Sequence, residues 1–284
     1  MQFTIDEINR QFKNQLNSIY SLNEIQQLLF MVYESVLNFT KIEVLTNTVQ
    51  VIEEDKYNSI INIKERLISN EPIQYILGEA DFFDLKFKVD SSVLIPRPET
   101  EEIVQWVIDS CDKKDAKILD MGTGSGCIAV SLAKNIIGSQ VSAVDISKKA
   151  LEIAQYNTHL NNTAVKFIHY DILKDNFDKL PQLVDVLISN PPYIKNSERT
   201  LMKHNVLDFE PNIALFVSDD DPLIFYREIA KLGRNILKLE GILFFEINES
   251  LGDEMVEMVK LLGYNKIELR EDINGKKRML RARV

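Results

Sequence analysis

The sequence predicts an α/β fold, a parallel sheet wrapped by helices, with a small helical bundle ahead of it. Three observations carry that reading. No glycine or proline occurs before Pro72, and the apolar residues of that stretch recur at helical spacing. From about residue 96 onward, apolar runs of strand length alternate with helical stretches, the pattern of strand–helix–strand units. Between the two lies a short segment of two-residue alternation.

Within residues 1–78, Thr4-x-x-Glu7 and Ser21-x-x-Glu24 have the form of capping boxes, in which each hydroxyl satisfies an orphan N–H of the first helical turn. Behind them run the stripes Ile5, Ile8, Phe12, Leu16, Ile19 and Ile25, Leu28, Val32, Val36, with a third at Ile60, Ile63, Leu67. One-sided helices of this kind bury their stripes against one another in a bundle. Pro72 and Gly78 end the region. In residues 79–95, Leu85, Phe87 and Val89 alternate with Asp84, Lys86, Lys88 and Asp90, and Phe82 and Phe83 stand just before them. A hairpin joining two domains is expected there.

Residues 96–284 make the second domain. Strands are expected at Lys117–Met121, Val141–Asp145, Val165–Tyr170 and Val184–Ser189. Helices are expected at Cys127–Asn135 and at Lys148–Leu160, the latter capped by Ser147. A helix near Leu223–Leu239, a strand near Ile242–Ile247, and two strands within Asn265–Val284 around Asn274-Gly275 complete the pattern.

At 284 residues, 45% hydrophobic and 27% charged, the chain suits a soluble globular protein of one large or two modest domains. No apolar stretch reaches the roughly 18 residues that span a bilayer. The segment Met1 to Glu7 lacks a basic region followed by an apolar core, so no signal peptide is expected. Cys111 and Cys127 have no metal or redox spacing and are expected to be free thiols in a reducing cytoplasm. The net charge of −10 argues against general nucleic-acid binding, which draws its affinity from Lys and Arg on phosphates. It leaves room for a basic protein partner.

Two segments carry chemistry. Ile118-Leu119-Asp120-Met121 runs into Gly122-Thr123-Gly124-Ser125-Gly126 and then a helix. Glycines there permit positive φ and close approach of backbone to a ligand at the strand ends of an open sheet. Asp145 closes the next strand, 19 residues beyond Gly126, where a carboxylate takes a ribose diol. A dinucleotide needs G-x-G-x-x-G. The spacing Gly122-x-Gly124-x-Gly126 after Asp120 is instead the form found in enzymes that use S-adenosylmethionine (AdoMet), where no phosphate has to be cradled. Asp120 is expected to organise the loop or to face the amino-acid part of that ligand.

The second segment is Asn190-Pro191-Pro192-Tyr193, at the end of the strand Val184–Ser189. Its prolines fix φ and remove two N–H donors, leaving as acceptors the Asn190 side-chain oxygen and the Pro191 carbonyl. Two acceptors hold the two N–H bonds of a planar NH2 group, and Tyr193 supplies an aromatic wall. Methyl transfer to such a nitrogen needs placement rather than a metal, and placement alone contributes up to roughly 7–11 kcal/mol. Of the three histidines, His159 reads as a surface residue and His169 as packed in a strand, and neither they nor His204 is given a role.

Together, the loop, Asp145 and the tetrad resemble the HemK/PrmC family of release-factor glutamine methyltransferases. Glu71-Pro72-Ile73-Gln74-Tyr75-Ile76-Leu77-Gly78, Leu94-Ile95-Pro96-Arg97-Pro98-Glu99-Thr100-Glu101 and Phe209-Glu210-Pro211 with Ala214-Leu215 extend the resemblance over most of the chain. It implies a Rossmann-like, seven-stranded AdoMet-dependent methyltransferase sheet with an antiparallel last strand, and a small N-terminal helical bundle domain that helps grip the substrate. It implies transfer of a methyl group to the glutamine side-chain nitrogen of the Gly-Gly-Gln tripeptide in peptide-chain release factors. Gly122, Thr123, Gly124, Ser125, Gly126, Asp145 and Asn190 match cofactor positions, and Asp171 and Ile172 match the adenine-flanking position. Many relatives have an aromatic where Ile172 stands. Asn190, Pro191, Pro192 and Tyr193 match the glutamine pocket, with Asn190, Pro191 and Tyr193 at the reacting group. Arg97 and Glu99 ride on a proline-stiffened segment at the cofactor mouth and are expected to face the substrate.

Three rivals are weaker. An adenine-N6 nucleic-acid methyltransferase uses the same kind of tetrad on a flipped or splayed base. The acidic charge, the lack of an evident target-recognition domain and the proline segment oppose it. A non-catalytic AdoMet-binding module has no need of an NH2 cup, and the glycine spacing disfavours a nicotinamide dehydrogenase.

Overall fold

A computed structural model describes residues 3–46 and 49–284. They divide into two compact units, one of Met1–Gly78 with Lys203–Phe209 and one of Glu79–Met202 with Glu210–Val284.

In the first unit, β1 (Phe3–Thr4) leads into α1 (Ile5–Leu16), followed by α2 (Leu22–Leu37), α3 (Lys41–Thr46), β2 (Val51–Ile52), α4 (Glu54–Ile68) and α5 (Ile73–Leu77). Both capping boxes form. Glu7 N–H donates to Thr4 Oγ1 while Thr4 N–H donates to the Glu7 carboxylate, and Ser21 and Glu24 repeat the exchange on α2. The stripes of α1, α2 and α4 meet in one apolar cluster that includes Phe12, Leu16, Val32, Ile60 and Leu67. Ile19, expected to continue the α1 stripe, is exposed because the helix stops at Leu16. The pairing of β1 with β2, Phe3 opposite Ile52, has no sequence cue, since two-residue strands show no period.

The second unit opens with the hairpin β3 (Glu79–Phe82) and β4 (Leu85–Lys88). Its two-residue turn, Phe83-Asp84, has φ of 50° and 58°, the left-handed geometry a tight hairpin requires. The Phe83 N–H is held by Glu101 Oε1 at 2.9 Å. There follow α6 (Pro98–Ser110), β5 (Lys117–Met121), α7 (Cys127–Asn135), β6 (Gln140–Asp145), α8 (Lys148–Leu160), β7 (Val165–His169), β8 (Val184–Ser189) and β9 (Ile194–Lys195). After α9 (His204–Leu207), which belongs to the first unit, come α10 (Asn212–Leu215), β10 (Phe216–Val217), α11 (Ile224–Ile236), β11 (Leu237–Glu246), α12 (Gly252–Leu261), β12 (Asn265–Glu271) and β13 (Lys277–Arg283).

Seven strands form one sheet in the order β12-β13-β11-β8-β5-β6-β7. The pairs from β11 to β7 are parallel, and β13 runs antiparallel to both its neighbours. β8 is buried along its whole length, as a central strand covered on both faces must be. Trp106 of α6 and Ile128 of α7 cover one face, and Tyr226 of α11 and Met255 of α12 cover the other. Against expectation, α11 ends at Ile236 and β11 begins at Leu237. Leu239 continues the helical spacing of Leu232 and Ile236, which misleads a reading by period. It lies in a bulge where the register with β8 jumps between Leu237 and Ile242, and it is exposed.

Candidate active site

The strand order reverses at β5, with β6 on one side and β8 on the other, which opens a crevice beyond their carboxyl ends. The glycine turn fills this point. Gly122 and Thr123 N–H both donate to the Val144 carbonyl at 2.9 Å, tying the turn to β6. Gly122 and Gly124 have φ of 78° and 53°, and a Cβ at either would meet open space. Their missing side chains are therefore room at the crevice floor rather than room for packing. Gly126 serves a different end: a Cβ there would lie 3.0 Å from Ala154 Cβ, so it lets α7 and α8 approach.

Asp145 ends β6 at the crevice wall. Its Oδ2 accepts from Gly124 N–H at 2.9 Å and its Oδ1 from Ser147 N–H at 2.8 Å. Burial raises its pKa, and those backbone donors work against the rise. Asp120 is fully buried beneath the turn. Its Oδ2 accepts from the Thr123 hydroxyl at 2.6 Å, Oδ1 has no partner, and burial pushes the carboxyl up to about 7. It therefore organises the loop from below.

Asn190 stands where β8 ends, next to the turn. Ser189 Oγ donates to the Met121 carbonyl at 2.6 Å and locks the two strand ends together. Two cavities meet here. One of about 290 Å3 is lined by Gly122, Gly124, Asp145, Asp171, Ile172 and Asn190, among others. A smaller one, about 40 Å3, shares Leu94, Gly122, Gly124 and Asn190 and adds Arg97, Thr100, Thr123 and Ser125. Pro192 lines the larger cavity, while Pro191 is buried and lines neither. Tyr193 packs against the apolar core, and its hydroxyl donates to Glu246 Oε1 at 3.2 Å. The glycine turn and the first residue of the tetrad thus share both cavities.

Arg97 borders the smaller cavity, and its Nη2 donates to Glu210 Oε1 at 2.6 Å. Glu210 is almost completely buried, and its Oε2 also accepts from Ile95 N–H. The proline segment and the Phe209-Glu210-Pro211 segment are latched together by this pair. Glu99 faces a separate shallow depression with Pro98, Glu102 and Ile273. His159 is exposed, and so is His169, expected to be packed: its Nε2 lies 2.8 Å from the Ile146 carbonyl oxygen at the end of the sheet's edge strand.

The open glycine floor, the held carboxylate of Asp145 and the apolar wall at Ile172 fit an adenosine with a charged tail, which is what AdoMet offers. Comparison with known proteins decides the family. Residues 7–78 match the PrmC N-terminal domain family and residues 103–208 the methyltransferase small domain family. A release factor glutamine methyltransferase from Flavobacterium psychrophilum is 41% identical over 98% of this chain and 98% of its own. One from Bacteroides thetaiotaomicron is 40% identical over 98% of this chain and 99% of its own. The chain belongs to the release factor glutamine methyltransferase family. A methyltransferase from Pyrococcus furiosus shares the fold of this family member, with a TM-score of 0.52 at 18% identity over 78% of this chain and 98% of its own.

Three residues at this methyltransferase site escaped the sequence. Glu246, 2% exposed at the end of β11, accepts from Thr100 Oγ1 at 2.6 Å and from Tyr193 Oη. Its only cue is an acid closing the apolar run Ile242 to Phe245. Thr100 in turn accepts from Asn190 Nδ2 at 3.4 Å. Asn157, buried on α8, donates to the Ser125 carbonyl and exchanges bonds with both backbone groups of Lys88, so it ties the glycine turn to the hairpin.

Proposed function

We propose that this protein transfers a methyl group from AdoMet to the side-chain amide nitrogen of the glutamine in the Gly-Gly-Gln tripeptide of peptide-chain release factors. The observation that carries the reading is the shared cavity: Asn190, at the head of the tetrad, opens onto the same space as Gly122 and Gly124. A family membership at about 40% identity over nearly the whole chain supports the substrate.

AdoMet, when bound, supplies an electrophilic methyl group on a sulfonium and leaves as a neutral thioether. The chain's own residues do the rest by placement. Asp145 accepts the ribose hydroxyls; each of its oxygens already holds one backbone N–H, which fixes the carboxylate and leaves lone pairs for the ligand. Asp171 and Ile172 flank the adenine, with an apolar contact where an aromatic would stack. The Asn190 side-chain oxygen and the Pro191 carbonyl accept the two N–H bonds of the glutamine amide and set its plane. As that nitrogen gains positive character its N–H bonds become better donors, so the two bonds strengthen toward the transition state. The cationic amide then loses a proton to water.

Arg97, latched to Glu210, borders the entrance of the glutamine. The helical unit, residues 1–78, grips the body of the release factor, and the hairpin region 79–95 leads into the catalytic part, residues 96–284. A translation factor as substrate puts the reaction in the cytoplasm, with no membrane and no direct nucleic-acid contact. No helix among the described residues is long and apolar enough to cross a membrane. The deciding experiment incubates the enzyme and AdoMet with purified release factor or with an adenine-bearing oligonucleotide, followed by mass spectrometry. A gain of one methyl group on the Gly-Gly-Gln peptide is expected; methylation of the oligonucleotide alone would transfer the site to nucleic acid.

A further inference from the structure

We infer that Glu246 is a positioning residue that sets the polarity of the Asn190 amide through Thr100, and that it clamps Tyr193 at the same time. The inference deepens the proposed function, since it rests on Asn190 holding the substrate amide.

Proton counting along the chain of bonds fixes the direction of each one. Phe245 of β11 pairs with Ser189 of β8, so Glu246 stands level with Asn190 across two adjacent strand ends. Burial raises the Glu246 carboxyl, while the Thr100 hydroxyl, the Arg278 charge and the Tyr193 hydroxyl oppose the rise; in its ionised form it only accepts hydrogen bonds. Glu246 Oε2 takes the single Thr100 hydroxyl proton at 2.6 Å, and Oε1 takes the single Tyr193 hydroxyl proton at 3.2 Å. With its proton committed, Thr100 Oγ1 has only lone pairs to turn toward Asn190. An amide beside a pure acceptor must offer its NH2 end, and Asn190 Nδ2 is the atom that faces Thr100, at 3.4 Å. The amide oxygen is then the end left for the cavity. That is the end an incoming NH2 group needs; the opposite orientation would meet it donor to donor.

Each link sits on a different element. Glu246 closes β11, Thr100 lies in the first turn of α6, Asn190 follows β8, and Tyr193 completes the tetrad. Tyr226 Oη donates to the Glu246 carbonyl at 3.1 Å, and Asn248 Nδ2 donates to the Tyr193 carbonyl at 3.3 Å, so the backbone on both sides of the relay is held as well. Burial of Glu246 at 2% exposure excludes bulk water from the Thr100 bond, which would otherwise scramble its direction.

The test compares Glu246→Gln, Thr100→Val, Thr100→Ser and the double variant Glu246→Gln/Thr100→Val. It reads kcat on intact release factor, the AdoMet dissociation constant by calorimetry, and the Asn190 side-chain 15N–1H signals. Glu246→Gln and Thr100→Val are expected to lower kcat on the order of ten- to a hundredfold, the scale of a misplaced reacting group. AdoMet affinity should hold within about twofold, Thr100→Ser should restore turnover, and the double variant should be no worse than the poorer single, as for members of one chain. Losses that multiply, a Thr100→Ser as impaired as Thr100→Val, or a loss confined to AdoMet affinity would overturn the relay. If Glu246→Gln does not fold, the Thr100 pair decides. If wild-type enzyme leaves release factor unmodified, the proposed function fails, and the relay is judged on the Asn190 signals alone. They must move in Thr100→Val and stay in Thr100→Ser; unmoved signals in both refute it.

Discussion

Asn190 and Asp145 face one cleft, and truncating them should produce opposite failures. With Asn190 assigned to the substrate amide, an acceptor needed most as the reacting nitrogen becomes positive, Asn190→Ala should collapse methyl transfer while AdoMet binding largely survives. With Asp145 assigned to the ribose hydroxyls, Asp145→Ala should weaken AdoMet binding by about 1.5–3 kcal/mol, the scale of a charge-assisted bond. Calorimetry and single-turnover assays on both variants check the crossing; near-normal turnover of Asn190→Ala or unchanged affinity of Asp145→Ala would break it. Asp120 supplies a pH prediction. Its folded carboxyl titrates at about 7 because burial outweighs its bond from Thr123, against an ordinary 3.8. Between those values the folded chain keeps a proton that the unfolded chain has released. The stability this proton confers is complete below the ordinary value and is lost as pH rises through about 7. Asp120→Asn keeps an acceptor for Thr123 but has no charge to bury. Its denaturation midpoint should therefore gain on wild type as pH is raised from about 5 to about 8. Parallel midpoints across that range would show that Asp120 does not titrate there.

Among the elements, α11 lies so close to the sheet that one position tolerates no side chain. A Cβ on Gly233 would stand 2.4 Å from Tyr264 Oη and 3.0 Å from Leu187 Cδ2. Tyr264 is buried and donates to the Ala230 carbonyl at 2.8 Å. Gly233→Ala gains up to about 1 kcal/mol of helix propensity but forces overpacking of roughly 1–3 kcal/mol and strains a buried bond. Chemical denaturation should show a net loss; a stabilised variant would mean that α11 can shift outward freely. Helices of this sort were legible from their period, as were both capping boxes and the strands on either side of the glycine turn. Each of those signals is local: it repeats within a few residues or caps the residue three places on. The illegible features pair residues far apart in the chain. Thr100 and Glu246 are 146 positions apart, and Arg97 and Glu210 are 113 apart. Neither side of such a pair shows a pattern. The start of β11 was hidden for another reason, because Leu239 continues a helical stripe before the bulge turns it outward. The hairpin turn was blurred because Phe83-Asp84 takes positive φ without the Asn or Gly that usually marks it.

On the scale of the whole molecule, the buried apolar side chains respect the division into units. One cluster runs from Ile5 to Leu77, and the other two lie between Phe82 and Val284. Every residue lining the larger cavity, from Ser92 to Phe225, belongs to the second unit. Cofactor binding should thus need only that unit, whereas a protein substrate offers surface far beyond one glutamine. A chain lacking residues 1–78, with Lys203–Phe209 replaced by a Gly/Ser linker because those residues cluster with the missing helices, separates the two requirements. Its AdoMet dissociation constant should stay within about threefold of the full chain, less than 1 kcal/mol. Its kcat/KM on intact release factor should fall by at least about tenfold, the loss expected when uniform binding energy is removed. On a short Gly-Gly-Gln peptide, which is too small to reach a second unit, the two enzymes should be alike. The peptide makes the outcome decisive. Equal losses on peptide and protein would mean that the helices support the catalytic sheet rather than the substrate, and no loss on either would leave the bundle without a part in recognition.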